Sequence, residues 1–480
     1  MKNIKTITGF ILLLIIVSTT SCKKWIDEDI NKDPNQPEDV SMNVLLPGIE
    51  VNLAYTFGSD LNRYPSLWIQ TMSGLSNQHL AFDFYSFNES DVNNMWYYNL
   101  YGGAMSDLYV VLGKASSTGS PHYGGIAKIL MANALGTCTD LWGDIPYSEA
   151  FQGPLNLKPK YDSQEKIYAE IDTLLTQGIS DLGASASTFY PGADDFIYGG
   201  DLGNWIAFAH SLKARYYMHH GKRDVSYYSL ALAEIPSALS GNDQNTQFNF
   251  GVNVTENSPV YQFFSVDRPG DAGVGKNLVD LMNGLNDPRR SVYFLTDGLC
   301  TPDTCYSGSA AGSGDGSSEI GEFFNSPTSP TLFMTYSEVK FIEAECAFRT
   351  GDAAAAAAAY NVAVSASLEM FGTSDAAYEA TNANETSGSI TLEKIFTQKY
   401  IHMFCQGTEG WTDWRRSHDA THLNGIPALA PAANNVTGGL IPRRFPYPNS
   451  ERLQNGSNMS AASISQGGAG ITDHVWWDNQ

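Results

Sequence analysis

Apolar residues recur at intervals of three and four through much of this chain, a spacing that a one-sided α-helix satisfies and a strand does not. In "YDSQEKIYAEIDTLLTQGISDL", Ile167, Ile171, Leu174, Leu175 and Leu182 fall on one stripe. Asp162 is placed to cap that helix, and Glu165, three residues on, to reach back as a capping box. "NWIAFAHSLKARYYMHH" repeats the pattern with Trp205, Phe208, Leu212 and Tyr216, and Gly221 marks its end. Across a Gly/Asp-rich loop the two segments predict an antiparallel pair. "TLFMTYSEVKFIEAECAFRTG", after Pro330, predicts a third helix with Leu332, Tyr336, Val339, Ile342 and Cys346 on one face. More helices are predicted across "MWYYNLYGGAMSDLYVVLGKA", "YGGIAKILMANALGTCTDLW" and "TLEKIFTQKYIHMFCQ".

The segment "GDAAAAAAAYNVAVSA" sharpens this into a repeat. Asp352 follows Gly351 as a cap, and Ala356, Tyr360 and Ala363 have the spacing of the second helix of a tetratricopeptide unit. Small residues there let the partner helix approach, and the aromatic fills the gap between repeats. Between helices lie long irregular stretches: 240 to 275, 308 to 330, and nearly everything after Gly410. The expected fold is mainly α, with tetratricopeptide-like helix pairs carrying large loops, and such loops are where function concentrates.

The N-terminus reads as an export signal: Lys2 and Lys5, an apolar run from Phe10 to Val17, then small residues before Cys22. The run is far short of the roughly 20 apolar residues of a membrane span. "STTSC" is similar to a bacterial lipobox, in which the cysteine is lipidated, with Thr19 departing from the usual Leu. This divides the chain into a signal peptide over 1–21, a lipidated Cys22 with a polar Asn/Asp/Pro-rich tether over 22–45, and a single domain over 46–480.

A net charge of −23 opposes docking on nucleic acid or anionic lipid. Charged residues make up only 16% of the chain, against about 25% in an average domain, while aromatics reach 12%. That balance suits recognition of neutral polar ligands by stacking and amide hydrogen bonds. Cys22 leaves an odd five cysteines. Cys300 and Cys305 could close a small loop, whereas Cys138, Cys346 and Cys405 sit in apolar, helix-like surroundings as buried thiols. No zinc pattern is present, and His219 and His220 diverge by about 100° on a helix. Asp315, Ser317 and Glu319 alternate in a Gly/Ser-rich loop as a weak calcium pattern without EF-hand spacing. No metal or cofactor is expected.

"DLWGDIPYSEAF" brings Asp140, Asp144 and Glu149 together, and glycoside cleavage needs two opposed carboxyl groups. A hydrolase using Asp140 and Asp144 is therefore an alternative. Gly143 and Pro146 instead mark a helix end followed by a turn, which the carboxylates would hold. No nucleophile elbow, zinc-helix motif or Walker-type loop occurs.

Several segments, in order along nearly the whole chain, resemble one family: "DPNQP", "LLPG", "DLWGDIPYSEAF", "NWIAFAHSLKARYY", "PTLFMTYSEVKFIEAECAFRTGD", "GTEGWTDWRRS", "IPRRFPYPNSE" and "VWWD". It is the SusD/RagB family of nutrient-binding outer-membrane lipoproteins of Bacteroidetes. The resemblance implies a right-handed α/α superhelix with a loop-built ligand face and no enzyme activity. It also implies a lipid-anchored, surface-exposed protein of the outer membrane. There it would capture oligosaccharides, or in some members peptides, for a SusC-like TonB-dependent transporter. In "SNQHLAFDFYSFNESDVNNMWYYN", His79, Phe82, Asp83, Tyr85, Phe87, Asn88 and Trp96 are the expected ligand contacts, since aromatics stack on a pyranose while Asn and Asp bond its hydroxyls. The resemblance adds Tyr306, Phe323 and Phe324. Asp413, Trp414, Arg415 and Arg416, with Arg443 and Arg444, are expected in buried pairs with carboxylates that tie irregular segments to the helices.

Overall fold

Glycine and alanine set how closely the helices approach. The computed structural model describes residues 40–298, 305–316, 318–418 and 422–479. The first helices are α1 (Met42–Gly58) and α2 (Asp60–Trp68), followed by strand β1 (Met72–Gly74) and the short α3 (Asn77–Asp83). Then come α4 (Met105–Thr118), α5 (Pro121–Trp142), α6 (Gln164–Leu182) and α7 (Leu202–Gly221). A Cβ added at Gly125 of α5 would meet the Leu182 side chain at 2.6 Å, and one at Gly136 would strike the Tyr216 ring at 2.2 Å. These glycines let α5 pack against both α6 and α7. Helices α6 and α7 run antiparallel: Tyr217 donates to Asp172 at 2.5 Å and Lys213 to Thr176 at 3.0 Å, so late residues of one meet early residues of the other.

Short strands β2 (Thr246–Phe248), β3 (Ala272–Val274) and β4 (Thr331–Met334) form two antiparallel ribbons, β1 with β3 and β2 with β4. After them come α8 (Tyr336–Arg349), α9 (Ala353–Met370), α10 (Leu392–His402) and α11 (Gly407–Ser417). Asp352 caps α9 by accepting from the Ala355 amide at 2.9 Å, and Ala356, Tyr360 and Ala363 are buried against α8, where Ser337 donates to the Ala363 carbonyl. The repeat expectation holds, and the protein is mainly helical.

Four expectations shift. Residues 331–334 are a strand, not the start of the third helix: "TLFM" carries a β-branched residue and an aromatic, and Thr335 caps α8 by accepting from the Glu338 amide. Ser163, not Asp162, caps α6, while Asp162 accepts from the amides of Tyr147 and Ser148 and so holds the turn after α5. The segment after Asn94 is π-helical over Met95–Ala104, with non-helical backbone at Gly103, before α4 begins. Helices reappear after Gly410 at Asn449–Gln454 and Gly456–Ser465.

The core centres on Trp68, edge-on to Phe87, Trp411 and Phe445 at 5.1 to 5.2 Å. Buried ion pairs tie the late segments to the helices. Arg416 makes two 2.7 Å bonds to Glu345 and a third to Asp413, Lys399 reaches Asp413, and Arg443 grips Asp478 at 2.6 and 2.7 Å. Arg415 and Arg444 depart from this expectation. Arg415 donates to the carbonyls of Asp140 and Arg443 between the rings of Trp411 and Trp477, and Arg444 donates to the carbonyls of Trp142 and Gly468. Burial without a bonded carboxylate pushes the Arg415 guanidinium down to about 10. Cys138 and Cys346 are buried free thiols and Cys405 is a partly buried one. Cys22, Cys300 and Ser317 lie outside the described residues. Asp315 and Glu319 are exposed, and no three metal-ligating side chains cluster among the described residues.

Candidate ligand face

Loops gather where β1 pairs with β3. From Gly74 the chain doubles back so tightly that a Cβ there would lie 2.1 Å from the His79 carbonyl oxygen, a path open only to glycine. The amides of Leu75 and Ser76 donate to the Asp271 carbonyl, and the side chains of Ser76 and Asn77 donate to its carboxylate at 3.0 and 2.6 Å. Burial works against that carboxylate, but these donors, with His79 and Arg268, hold it below its usual range.

Asp83, at the end of α3, is the hinge of the cluster. Its Oδ2 accepts from the Ser73 hydroxyl at 2.9 Å, the Gly74 amide at 3.0 Å and the Gly312 amide at 2.8 Å. Burial raises this carboxyl to about 7, against the pull of those donors. Gly312 has φ +75°, and a Cβ on it would meet Ala432 at 2.6 Å and the Phe84 ring at 3.1 Å. The Phe84 carbonyl in turn accepts the Val436 amide at 3.0 Å. Three loops, around 74–91, 306–316 and 430–440, are thus stitched into one surface. Asn77, Tyr85 and Asn434 have positive φ on it. Asn tolerates that region, whereas at Tyr85 the backbone is strained, as backbone at functional sites often is.

The expected contact residues separate sharply. Tyr85 is 2% exposed, Phe87 packs among Tyr64, Trp68, Phe82 and Phe445, and Trp96 lies between Tyr101, Trp142 and Tyr447. Phe324 packs on Tyr293, Phe371 and Phe404, and Phe82 is buried as well. These five rings are core, and expecting them at the ligand surface is corrected. His79 and Asp83 are buried beneath the face; burial and Arg63 push the His79 imidazole down to about 4. Asn88 is exposed, in a turn where its Oδ1 accepts from Ser90. Tyr306 is half-buried beside Arg290 and Phe294, on a loop whose carbonyl at 306 takes a bond from Asn283.

Several exposed or half-buried groups were missed: Asn77, Gln78, Leu80, Phe84, Asn434 and Val436. "PAANNVTGGL" carried a signal, since an Asn pair and a Gly pair close together after proline favour positive-φ turns.

The two carboxylates weighed for glycoside cleavage are structural. Asp140 is buried, with Oδ1 accepting from Tyr168 at 2.6 Å and Trp477 at 2.8 Å and Oδ2 3.1 Å from His219 Nδ1. Asp144 accepts the Gln164 amide at 2.9 Å and the Ser465 hydroxyl at 3.1 Å, so it braces the start of α6. The cavity beside Asp140 measures about 60 Å³, space for a few waters and not for a sugar ring.

Residues 34–448 match the SusD-like family model described as "Starch-binding associating with outer membrane". The chain belongs to the SusD-like family. Solved structures share the fold of this SusD-like chain over 92% of its length. A chitin-binding protein superposes with a TM-score of 0.79 at 24% identity over 100% of its own chain. A SusD/RagB family protein from Bacteroides thetaiotaomicron does so at 0.76 and 22% over 99%. A chitin-binding SusD homolog from Flavobacterium johnsoniae follows at 0.75 and 23% over 97%. No protein of curated function matches the sequence. Members of this family associate with the outer membrane. Among the described residues, no helix of this member is long and apolar enough to cross a membrane.

Proposed function

We propose that this SusD-like chain captures neutral oligosaccharides on the face built by the 74–91, 306–316 and 430–440 loops and passes them to a SusC-like TonB-dependent transporter. A lipid on Cys22 would hold it at the outer membrane, surface-exposed. The observation that carries this reading is the chemistry of the face. On exposed residues, Asn77 Oδ1, Gln78 Oε1, Asn88 Nδ2 and the Asn434 amide offer acceptors and donors, and half-buried Phe84 and Tyr306 offer rings, on loops fixed by Asp83 and Asp271. Amides and rings recognise hydroxyl-rich, uncharged ligands without bond cleavage, so the protein binds and releases. Calorimetry with maltohexaose and chitohexaose tests it. Saturable binding with no new reducing ends is expected; hydrolysis, or binding of peptides and no sugar, overturns it. Copurification with a large β-barrel, lost in Cys22→Ala cells grown on the bound glycan, tests the anchored partnership.

A further inference from the structure

A second polar groove lies along β2, where the loop face contributes no residue. It measures about 550 Å³ and is lined by Asn245, Gln247, Asn249, Phe323, Glu369 and Met370, with Asn242, Asp243 and Pro330 completing its wall. That volume falls among those of small-molecule sites, roughly 300 to 1,000 Å³.

The strand explains the lining. Thr246 and Phe248 are buried, so the period of two turns Gln247 and Asn249 outward, and Asn245 precedes them on the same side. The amide orientations are set by their bonds. Asn245 accepts the Tyr336 amide at 2.7 Å through Oδ1, and Gln247 Nε2 donates to Asn249 Oδ1 at 2.9 Å. Gln247 therefore presents an acceptor and Asn249 a donor side by side. In the same groove, the half-buried Phe323 ring is held edge-on by Phe324 and Phe371, each at 4.9 Å. Exposed Asp243 and Glu369 add acceptors, and among the described residues no Lys or Arg lines the groove. Anionic ligands are disfavoured there, while a row of amides and a ring in one groove suit a neutral polyol chain.

Resting on the proposed capture of oligosaccharides, we infer that this groove is a second oligosaccharide-binding subsite, in which Phe323 stacks on a sugar ring and Asn245, Gln247 and Asn249 bond its hydroxyls. Two subsites on one chain would let it hold a long glycan at two points, raising its effective affinity.

Hydroxyl-radical footprinting of the full chain, with and without saturating maltohexaose or chitohexaose, tests this. Protection of Phe323 and Met370 in addition to Phe84 is expected. Phe323→Ala should weaken binding in the groove roughly fivefold to tenfold, the range for losing one aromatic contact. The Gln247→Ala/Asn249→Ala pair, which removes no core side chain, should abolish the Met370 protection and leave that of Phe84. Protection of Phe84 alone overturns the second subsite and leaves the loop-face proposal standing. Protection at neither place with either sugar overturns both. Protection at Phe323 by a neutral peptide in place of sugar overturns the ligand class.

Discussion

Asp83 accepts the backbone amide of Gly312 at 2.8 Å, joining segments 229 residues apart and fixing the loop face from below. Its Oδ1 is buried without a donor among the described residues, the place for a proton when the group is neutral. Folding raises its pKa to about 7. Between pH 4 and 7, then, the folded chain keeps a proton that the unfolded chain has lost, and this part of the stability falls as pH rises across that window. Asp83→Asn should flatten the slope in pH-dependent thermal unfolding. Asp83→Ala should speed amide exchange at Gly74 and Gly312 and destabilise by about 1.5 to 3 kcal/mol.

His219 is clamped between Asp140 at 3.1 Å and Glu409 at 3.0 Å. Burial alone would push its imidazole down, but Glu409 and Asp140 outweigh it and lift it to about 9. The stability from this imidazolium is complete below about pH 6.5, the unfolded value, and is lost as pH rises through 9. His219→Ala strips both carboxylates of their shared cation and should cost about 3 to 5 kcal/mol by chemical denaturation. Asp140→Asn should likewise lower stability without changing any sugar-binding constant.

Helix pairing was legible in the sequence because burial on one side writes a period of 3.6 into the residues, as at Ile167, Ile171 and Leu175. The cap of α9 was legible too, since Asp352 acts within three residues. The ligand face was less so. "FDFYSF" crowds four aromatics into six residues, yet which ring faces solvent depends on the turn at Tyr85 and on Gly312 arriving from far along the chain. Composition ranks Phe82 and Phe84 equally; only the tertiary contact through Asp83 leaves Phe84 at the surface. A structural role for Asp140 and Asp144 was legible, but their partners were hidden for the same reason, because Trp477 and Ser465 come from the far C-terminal segment.

Glu50, fully buried in α1, accepts the Phe196 amide at 2.7 Å through Oε2, while its Oε1 has no donor among the described residues. Burial and the nearby Asp195 charge raise it to about 10, so it is protonated at neutral pH. Because the unfolded carboxyl ionises near 4.5, stability falls as pH rises from there toward 10. Glu50→Gln carries a permanent donor at no ionisation cost. It should stabilise at pH 9 by on the order of 1 to 3 kcal/mol and make no difference at pH 4, read by urea unfolding at the two values.

The loop face and the rings beneath it should separate by mutation. Phe87→Ala and Trp96→Ala empty the core around Trp68 and Trp142 and should each cost about 3 to 5 kcal/mol. Under conditions where they remain native, their sugar affinity should stay within about threefold of the parent, since both rings are buried. Asn88→Ala should do the reverse, weakening sugar binding by roughly three- to tenfold, about one hydrogen bond, while stability changes by less than about 1 kcal/mol. Phe84→Ala should weaken binding to a similar extent, with a moderate stability loss from its contact with Gly312. Paired calorimetric titration and thermal unfolding of the four variants decide the matter. A Trp96 variant that stays fully stable but no longer binds would place that ring at the ligand after all.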